Sequence, residues 1–292
     1  MVTATTREGR DVRSPQAAGA AAETTAHVWH GSLDHAQAEP DLAAAALLSP
    51  AERARARMLG AGTADLYVAS HVAARRILAA YLGLDPAGLR LGRRLCPQCA
   101  DPSHGPPSVL WPPTGLSYNL TASAGHWLLA VTEDDPLGID LEIADTGPGA
   151  RPGEAGTPEQ AAPVALTGRE LAYVDGFADP AARRAAFLRC WTRKEAVVKA
   201  IGVGLVADLR AIDVDPARFA PVTVRYGVLP GPAEWVVRDL PLGPGRHAAL
   251  ARPASAKGPV NLYEYALSAL PGPPPPGGCA FRPDALTWPE EP

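Results

Sequence analysis

Two carboxylates stand two residues apart in the segment Gly138–Glu142, which reads G-I-D-L-E. Apolar and polar residues alternate from Leu137 to Ile143 with a period of two, which predicts a β-strand. In such a strand Asp140 and Glu142 leave the same face, about 7 Å apart along the chain. Mg²⁺ prefers oxygen ligands and usually takes one or two carboxylates together with substrate phosphates. The segment therefore offers the donors of a hard-cation site, although a strand with a solvated polar face is the favoured interpretation of this segment alone.

A second run of chemically capable residues begins at Trp191 and reads W-T-R-K-E-A-V-V-K-A-I-G. It lies in a helix predicted over Arg183–Ile201, which two nearby glycines end. Trp191, Glu195 and Lys199 recur at every fourth residue and share one helix face, with Lys194 about 100° away. Taken alone, this run is explained by a surface salt bridge beside a core tryptophan, worth a few tenths of a kcal/mol.

The elements that must position these residues follow from capping signals and periodicity. Ser49–Glu52 is a helix-capping signal, and the apolar face of Thr63–Leu82 predicts a long helix that Gly83 ends. This helix and the one over Arg183–Ile201 are weakly alike in sequence, which indicates an internal repeat and two related halves. A further capping box is predicted at Thr167–Glu170. More strands are predicted at His126–Thr132, Val222–Tyr226, Glu234–Asp239 and His247–Ala251.

Composition limits the fold class and the domain organisation. The chain has 292 residues with 32 Pro and 28 Gly, and 47% of its residues are hydrophobic. No Gly-X-Y period appears, so collagen is excluded, and the apolar content suffices for a core. Residues 1–25 are polar and Ala/Gly-rich without a period, and Pro and Gly concentrate in residues 146–158 and 269–292, which predicts two disordered tails and one linker. The folded part is then an N-terminal half at 26–135 and a C-terminal half at 136–268.

Charge and hydropathy exclude several function classes. The formal net charge of −4 gives no bulk attraction to nucleic acid. Residues 51–100 are basic and residues 133–154 are acidic, which suits a phosphate and a cation, although solvated faces of opposite sign are the commoner cause. The chain has no apolar run long enough for a membrane helix, no secretory signal, and too few cysteines for a disulfide framework. We therefore expect a cytoplasmic protein with no membrane or nucleic-acid partner.

Together, the two motifs resemble those of the phosphopantetheinyl transferases of the surfactin-synthetase-activating type. The hallmarks of that family, G-[IV]-D-[IV]-E and W-[ST]-x-K-E-[AS]-x-x-K-x-x-G, match Gly138–Glu142 and Trp191–Gly202. The resemblance extends from about Leu47 to Leu250. It implies an α+β fold of two similar halves related by a pseudo-twofold axis, each a small sheet packed on a long helix. It also implies a monomer, with coenzyme A in the cleft between the halves.

The resemblance also implies an activity and a set of site residues. The reaction would transfer 4′-phosphopantetheine from coenzyme A, the co-substrate, to a serine of an apo acyl, peptidyl or polyketide carrier protein. Asp140, Glu142 and Glu195 match the ligands of Mg²⁺, with Mn²⁺ as an alternative ion. Glu195 is also the candidate general base, directly or through water. Lys194 and Lys199 match lysines that meet the phosphates and the transition-state charge.

Three arginines are candidates for the nucleotide end of coenzyme A. By resemblance, Arg75 matches a basic residue that holds this part of the co-substrate. Arg53 and Arg57 lie four residues apart on the helix that follows the first capping signal, and arginine suits forked contact with a phosphate. For Arg53 and Arg57, a solvated basic face is an equally good explanation.

The sequence departs from the family pattern at two phosphate-binding positions. The family's F-N-[IV]-S-H-S-G segment appears as Y-N-L-T-A-S-A-G, with Ala122 at the histidine position. Thr121 and Ser123 can still donate hydrogen bonds there. The usual G-K-P motif appears as G-P-P, so Pro106 replaces a lysine. These losses leave an alternative open, in which the chain is a non-catalytic scaffold that binds carrier proteins or nucleotide.

The remaining candidate site is the run Cys96-Pro97-Gln98-Cys99, followed by His104. A structural zinc site needs four ligands, and only three candidates are local; Asp101 or His126 would have to complete it. A short loop with inert thiols is therefore favoured over zinc. Of the other two cysteines, Cys190 is expected in the core and Cys279 in the C-terminal tail.

Overall fold

The computed structural model describes residues 24–33, 45–144, 161–204, 207–227 and 231–265. The predicted linker at 146–158 and tail at 269–292, with Cys279, lie outside the described residues, as do residues 1–23 of the predicted N-terminal tail. Within the described ranges, none of the helices is long and apolar enough to cross a membrane.

The fold is α+β, as the sequence predicts, and consists of helices packed on two four-stranded sheets. The helices are α1 Pro50–Arg57, α2 Ala61–Leu82, α3 Ala162–Ala165, α4 Gly168–Asp175 and α5 Pro180–Ile201. The strands are β1 Ala26–Ser32, β2 Arg90–Arg93, β3 Pro107–Trp111, β4 Leu116–Ser123, β5 His126–Glu133, β6 Gly138–Ile143, β7 Val222–Arg225, β8 Glu234–Asp239, β9 Arg246–Pro253 and β10 Val260–Glu264. The sheet orders are β10-β1-β5-β4 and β6-β9-β8-β7, and β2 and β3 form a separate pair.

The two halves repeat one arrangement, which agrees with the predicted internal repeat. Helices α2 and α5 both have 22 residues and end at a left-handed glycine, Gly83 with φ 65° and Gly202 with φ 83°. Their first residues, Ala61 and Pro180, are 119 positions apart, as are the two glycines. In each half, one strand precedes the long helix and pairs antiparallel with a strand that follows it, β1 with β5 and β6 with β9.

In the C-terminal half, a buried ion pair joins α4 to the long helix α5. The capping box predicted from the sequence is present, because the Thr167 hydroxyl accepts from the Glu170 N–H and the Glu170 carboxylate accepts from the Thr167 N–H. The same carboxylate lies 2.8 Å from Nζ of Lys194, and both side chains are 0% exposed. Lys194 also donates to the backbone carbonyls of Leu209, at 2.8 Å, and Ile212.

The N-terminal half contains the equivalent pair between α1 and α2. Ser49 and Glu52 form the capping box of α1, and the Glu52 carboxylate lies 2.6 Å from Nη2 of Arg75. Arg75 is buried, and its Nη1 donates to the carbonyl of Leu89 at 3.0 Å. Arg75 and Lys194 are each the fifteenth residue of their helices. Both halves therefore fix the long helix by the same interaction.

Apolar residues form one core within each half and a third core between the sheets. Helix α5 packs on its sheet through Phe187, Val197 and neighbours, and α2 packs on the other sheet through Ile77 and Leu78. The third core joins the two sheets, and its buried members include Val28, Leu128, Ile139, Leu141 and Leu250. This shared core places the edge strand β4 of one sheet beside the edge strand β6 of the other.

The predicted division of the chain between residues 135 and 136 stays a prediction, and one strand crosses it. Strand β10 belongs to the predicted C-terminal half at 136–268 but pairs parallel with β1 of the N-terminal sheet, with Val28 opposite Leu262. A parallel partner needs a long connection, so this pairing has no local signal in the sequence.

Replacing Glu170 by Gln is expected to lower the free energy of unfolding by about 3–5 kcal/mol, because Lys194 would keep its buried charge without a counter-charge. Glutamine preserves the capping box, so the loss reports on the ion pair. Urea denaturation measures the change. The control is Arg169→Ala, whose side chain is 64% exposed beside Asp213 and Asp215 and should cost no more than about 1 kcal/mol. Equal losses for the two variants would contradict the prediction.

Candidate functional site

Side chains bridge the two sheets where β4 and β6 lie side by side. The Thr121 hydroxyl donates to Oδ1 of Asp140 at 3.2 Å, and the Ser123 hydroxyl donates to Oε2 of Glu142 at 3.1 Å. Nearby, the amide oxygen of Asn119 accepts from the N–H of residue 139 at 3.4 Å. Four residues that the sequence singles out for phosphate or metal binding are thus brought together at one sheet junction.

Helix α5 lies directly on β6, because Gly138 has no side chain to separate them. A Cβ at Gly138 would overlap backbone atoms of Ala196 and Ala200. The close approach brings Nζ of Lys199 to 2.5 Å from Oδ1 of Asp140 and to 3.4 Å from the Thr121 hydroxyl. The helix face that carries Glu195 and Lys199 therefore completes the junction that β4 and β6 begin.

The negative charges of the carboxylates at this site repel one another. Burial, followed by the charge of Asp140, raises the pKa of Glu142 to about 7, although Ser123, Lys199 and a hydrogen bond from Trp191 oppose the shift. Burial and Asp140 also raise the pKa of Glu195, against the opposing charge of Lys199. Lys199 opposes the pKa shifts of both Glu142 and Glu195. One lysine does not offset three carboxyl groups, so the cluster carries excess negative charge.

Two buried carboxylate oxygens at the junction have no hydrogen-bond partner among the described residues. They are Oδ2 of Asp140 and Oε1 of Glu195. Buried polar atoms are nearly always paired, so each such atom calls for an explanation. Asp140, Glu142 and Glu195 offer the oxygen donors that Mg²⁺ and Mn²⁺ prefer, and a divalent cation would pair these atoms and offset the excess charge. The donor set therefore fits a hard metal ion.

Two of the residues predicted to meet phosphate are instead committed to buried ion pairs. Lys194 has no exposed surface and is fully paired with Glu170 and two backbone carbonyls. Arg75 is held by Glu52 and Leu89 in the N-terminal half. Neither charge is accessible, so in this structure Lys194 and Arg75 anchor the long helices, and their contact with phosphate stays a prediction.

Arg53 and Arg57 lie on α1, in the N-terminal half. Arg53 is partly buried and its guanidinium donates to the carbonyl of Leu48 in the preceding turn. Arg57 is exposed in the last turn of α1. No contact between these arginines and the carboxylates at the junction is found in the described part of the chain, so their role in binding coenzyme A stays a prediction.

The two positions that depart from the family pattern both border the junction. Ala122 lies on β4 between Thr121 and Ser123, is exposed, and points to the opposite side of the strand because side chains alternate. Pro106 packs against the end of α5, since a Cβ at Gly202 would lie 2.9 Å from its ring. Neither residue can supply the charge of the side chain that it replaces.

Sequence reasoning missed two contributors to the site. Trp191 lies close to Glu142 and lowers the pKa of that carboxyl, whereas the sequence indicates only a core residue on the face of Glu195. Asn119 is buried and links β4 to the backbone of β6. The four-residue spacing of Trp191 and Glu195 could have indicated that Trp191 lies at the site. No sequence signal indicated Asn119, because its partner lies on another sheet.

Comparison with known proteins agrees with this geometry. Residues 136–251 match the family model of the 4′-phosphopantetheinyl transferase superfamily. The chain is 31% identical over 192 residues to the 4′-phosphopantetheinyl transferase HetI of a Nostoc species, an alignment that covers 64% of this chain and 73% of that protein. The matched model contains β6 and α5, the two elements that carry the carboxylates.

Mg²⁺ is expected to stabilise the wild-type chain, because an ion bound only by the folded state adds about 2.7 kcal/mol at a concentration 100 times its Kd. Thermal unfolding with and without Mg²⁺ measures this effect. Asp140→Asn should lose most of the shift, since it removes one of the charges that attract the ion. Asp208→Asn, which changes an exposed carboxylate beside Arg210, is the control and should keep the shift. An unchanged shift in Asp140→Asn would rule out the carboxylate site.

Proposed function

The chain belongs to the 4′-phosphopantetheinyl transferase superfamily, and from that premise we propose that it transfers 4′-phosphopantetheine from coenzyme A to a serine of an apo carrier protein in a Mg²⁺-dependent reaction. The observation that carries the proposal is the junction of three carboxylates, the buried Asp140 and the partly buried Glu142 and Glu195, with Lys199 beside them. This is a holo-[acyl-carrier-protein] synthase activity.

The three carboxylates would hold Mg²⁺, which when bound neutralises the pyrophosphate of coenzyme A and stabilises the negative charge on the leaving phosphate. The carrier serine attacks the β-phosphorus, and the bond to the leaving adenosine 3′,5′-bisphosphate breaks. The serine proton goes to Glu195, directly or through water. The raised pKa of Glu195 suits this role, because a general base works best when its pKa approaches the operating pH.

Lys199, Thr121 and Ser123 are proposed to orient the phosphates of coenzyme A. The side chain of Lys199 is 28% exposed, so its ammonium can reach a ligand while it contacts Asp140. Thr121 and Ser123 stand beside the same carboxylates and can redirect their hydroxyl groups toward phosphate oxygens. These three side chains line the junction from strand β4 of the N-terminal half and helix α5 of the C-terminal half, which supports a phosphate position between the halves.

We further propose that the chain is of the surfactin-synthetase-activating type and acts as a monomer, with both halves supplied by one chain. The repeat of α2 and α5 supports this assignment. The N-terminal half, 26–135, would hold the nucleotide end of coenzyme A, and the C-terminal half, 136–268, would hold the metal and the catalytic helix. Carriers of polyketide, peptide or fatty-acid synthesis, including those of secondary metabolism, are the proposed substrates.

The absent phosphate contacts at Ala122 and Pro106 favour one alternative, a scaffold of the same fold that binds carriers or nucleotide without transfer. Buried, mutually repelling carboxylates argue against it, because a binding scaffold gains nothing from their cost. The two functions differ in one measurable product, the modified carrier.

Incubation of apo carrier proteins with coenzyme A, Mg²⁺ and the wild-type chain should raise the intact carrier mass by one 4′-phosphopantetheine. Glu195→Gln should lower kcat/KM by at least about 100-fold, because the proton acceptor is lost. Glu234→Gln, at an exposed pair with Arg225, is the control and should remain active. Carrier binding without any mass gain, over several carriers, would refute the transferase and support the scaffold.

A further inference from the structure

The loop between β2 and β3 brings together three side chains with the chemistry of a soft metal site. The ligand atoms of Cys96, Cys99 and His104 all lie within 4.8 Å of one another, and Sγ of Cys99 lies 3.3 Å from Nε2 of His104. Asp101 adds a fourth donor, with Oδ2 at 3.8 Å from the same ring nitrogen. None of these side chains takes part in the carboxylate junction.

The backbone of the loop is folded around Cys96. The N–H of Ala100 donates to the Cys96 carbonyl at 2.8 Å, and the N–H of Cys96 donates to the Asp101 carbonyl at 3.1 Å. Ala100 adopts a left-handed conformation, with φ 60°, which closes the turn.

Two of the separations agree with tetrahedral coordination. Ligands held about 2.0–2.3 Å from a tetrahedral zinc ion lie about 3.3–3.8 Å from one another. The separations from His104 Nε2 to Cys99 Sγ and to Asp101 Oδ2, 3.3 and 3.8 Å, fall at the two ends of that interval. His126, the other fourth ligand considered from sequence, contacts His30 instead, at 3.2 Å.

We propose that Cys96, Cys99 and His104 bind a structural Zn²⁺, with Asp101 as the fourth ligand. Two thiolates, one imidazole and one carboxylate make a donor set of the kind that binds zinc. The sequence favoured inert thiols because it showed only three local candidates; the turn at residues 96–101 supplies the fourth.

The site has a consequence for the long helix of the C-terminal half. The loop that ends at Pro106 packs against Gly202, and Gly204 follows immediately beside His104, with its Cβ position 3.6 Å from the His104 carbonyl oxygen. The loop at residues 94–106 therefore packs against the end of α5, the helix that carries Glu195 and Lys199. A zinc ion bound in this loop would stabilise the position of α5 through that packing, without contacting substrate.

The test is the metal content of the full-length chain, purified without a tag and with Mg²⁺ in the buffers, measured by plasma mass spectrometry. The wild type should retain about one zinc per chain, and Cys96→Ser and Cys99→Ser should each retain little. Cys190→Ala is the matched control, since Cys190 is buried in the core of α5, and it should keep its zinc. Zinc below background in the wild type, or equal zinc in Cys96→Ser, would overturn the proposal.

A second measurement uses the wild type alone, so that a variant that fails to fold does not decide the result. Cobalt substitution should give thiolate-to-metal charge-transfer bands and the visible spectrum of a tetrahedral site. A zinc-selective chelator in excess Mg²⁺ should lower the unfolding temperature, and added zinc should restore it. An octahedral cobalt spectrum, or no change on chelation, would contradict the site. All these readouts are independent of transferase activity, so failure of one proposal leaves the other standing.

Discussion

Direct contact between strand β6 and helix α5 at Gly138 is the constraint on which the candidate site depends. Because no side chain separates them, the strand acids and the helix residues meet at hydrogen-bond distance, as Asp140 and Lys199 show. The helix is fixed elsewhere by the buried Lys194–Glu170 pair and by the packing of Pro106 on Gly202. A rigid helix is required because mutually repelling carboxylates would otherwise move apart.

The two halves repeat the fold but not the chemistry. The sixteenth residue of the long helix is Arg76 in α2 and Glu195 in α5, and the twentieth is Ala80 in α2 and Lys199 in α5. Strand β1, which precedes α2 as β6 precedes α5, contains no acidic residue. What both halves keep is the capping box and its buried ion pair, which serve the fold. Within the described residues, the cluster of Asp140, Glu142 and Glu195 therefore has no counterpart in the N-terminal half.

The buried ion pairs of Lys194 and Arg75 show where sequence reasoning stops. A basic residue on a helix suits either a phosphate or a buried carboxylate, and its type does not distinguish the two. The deciding partners, Glu170 and Glu52, were visible as capping residues, but a capping box does not reveal that its carboxylate has a second contact. The cysteine loop makes the same point, since Asp101 comes beside His104 only through the turn.

The sequence alone determined the long helices with their glycine ends, the strand with alternating acids and the two motifs whose resemblance to a known family implied the α+β class. These depend on local periodicity, capping and residue type, which the chain expresses within short windows. Only the tertiary structure decided that β10 pairs with β1, that Thr121 and Ser123 meet Asp140 and Glu142, and which basic residues remain accessible. The physical reason is that these contacts join distant segments through a shared core, so no local pattern specifies them.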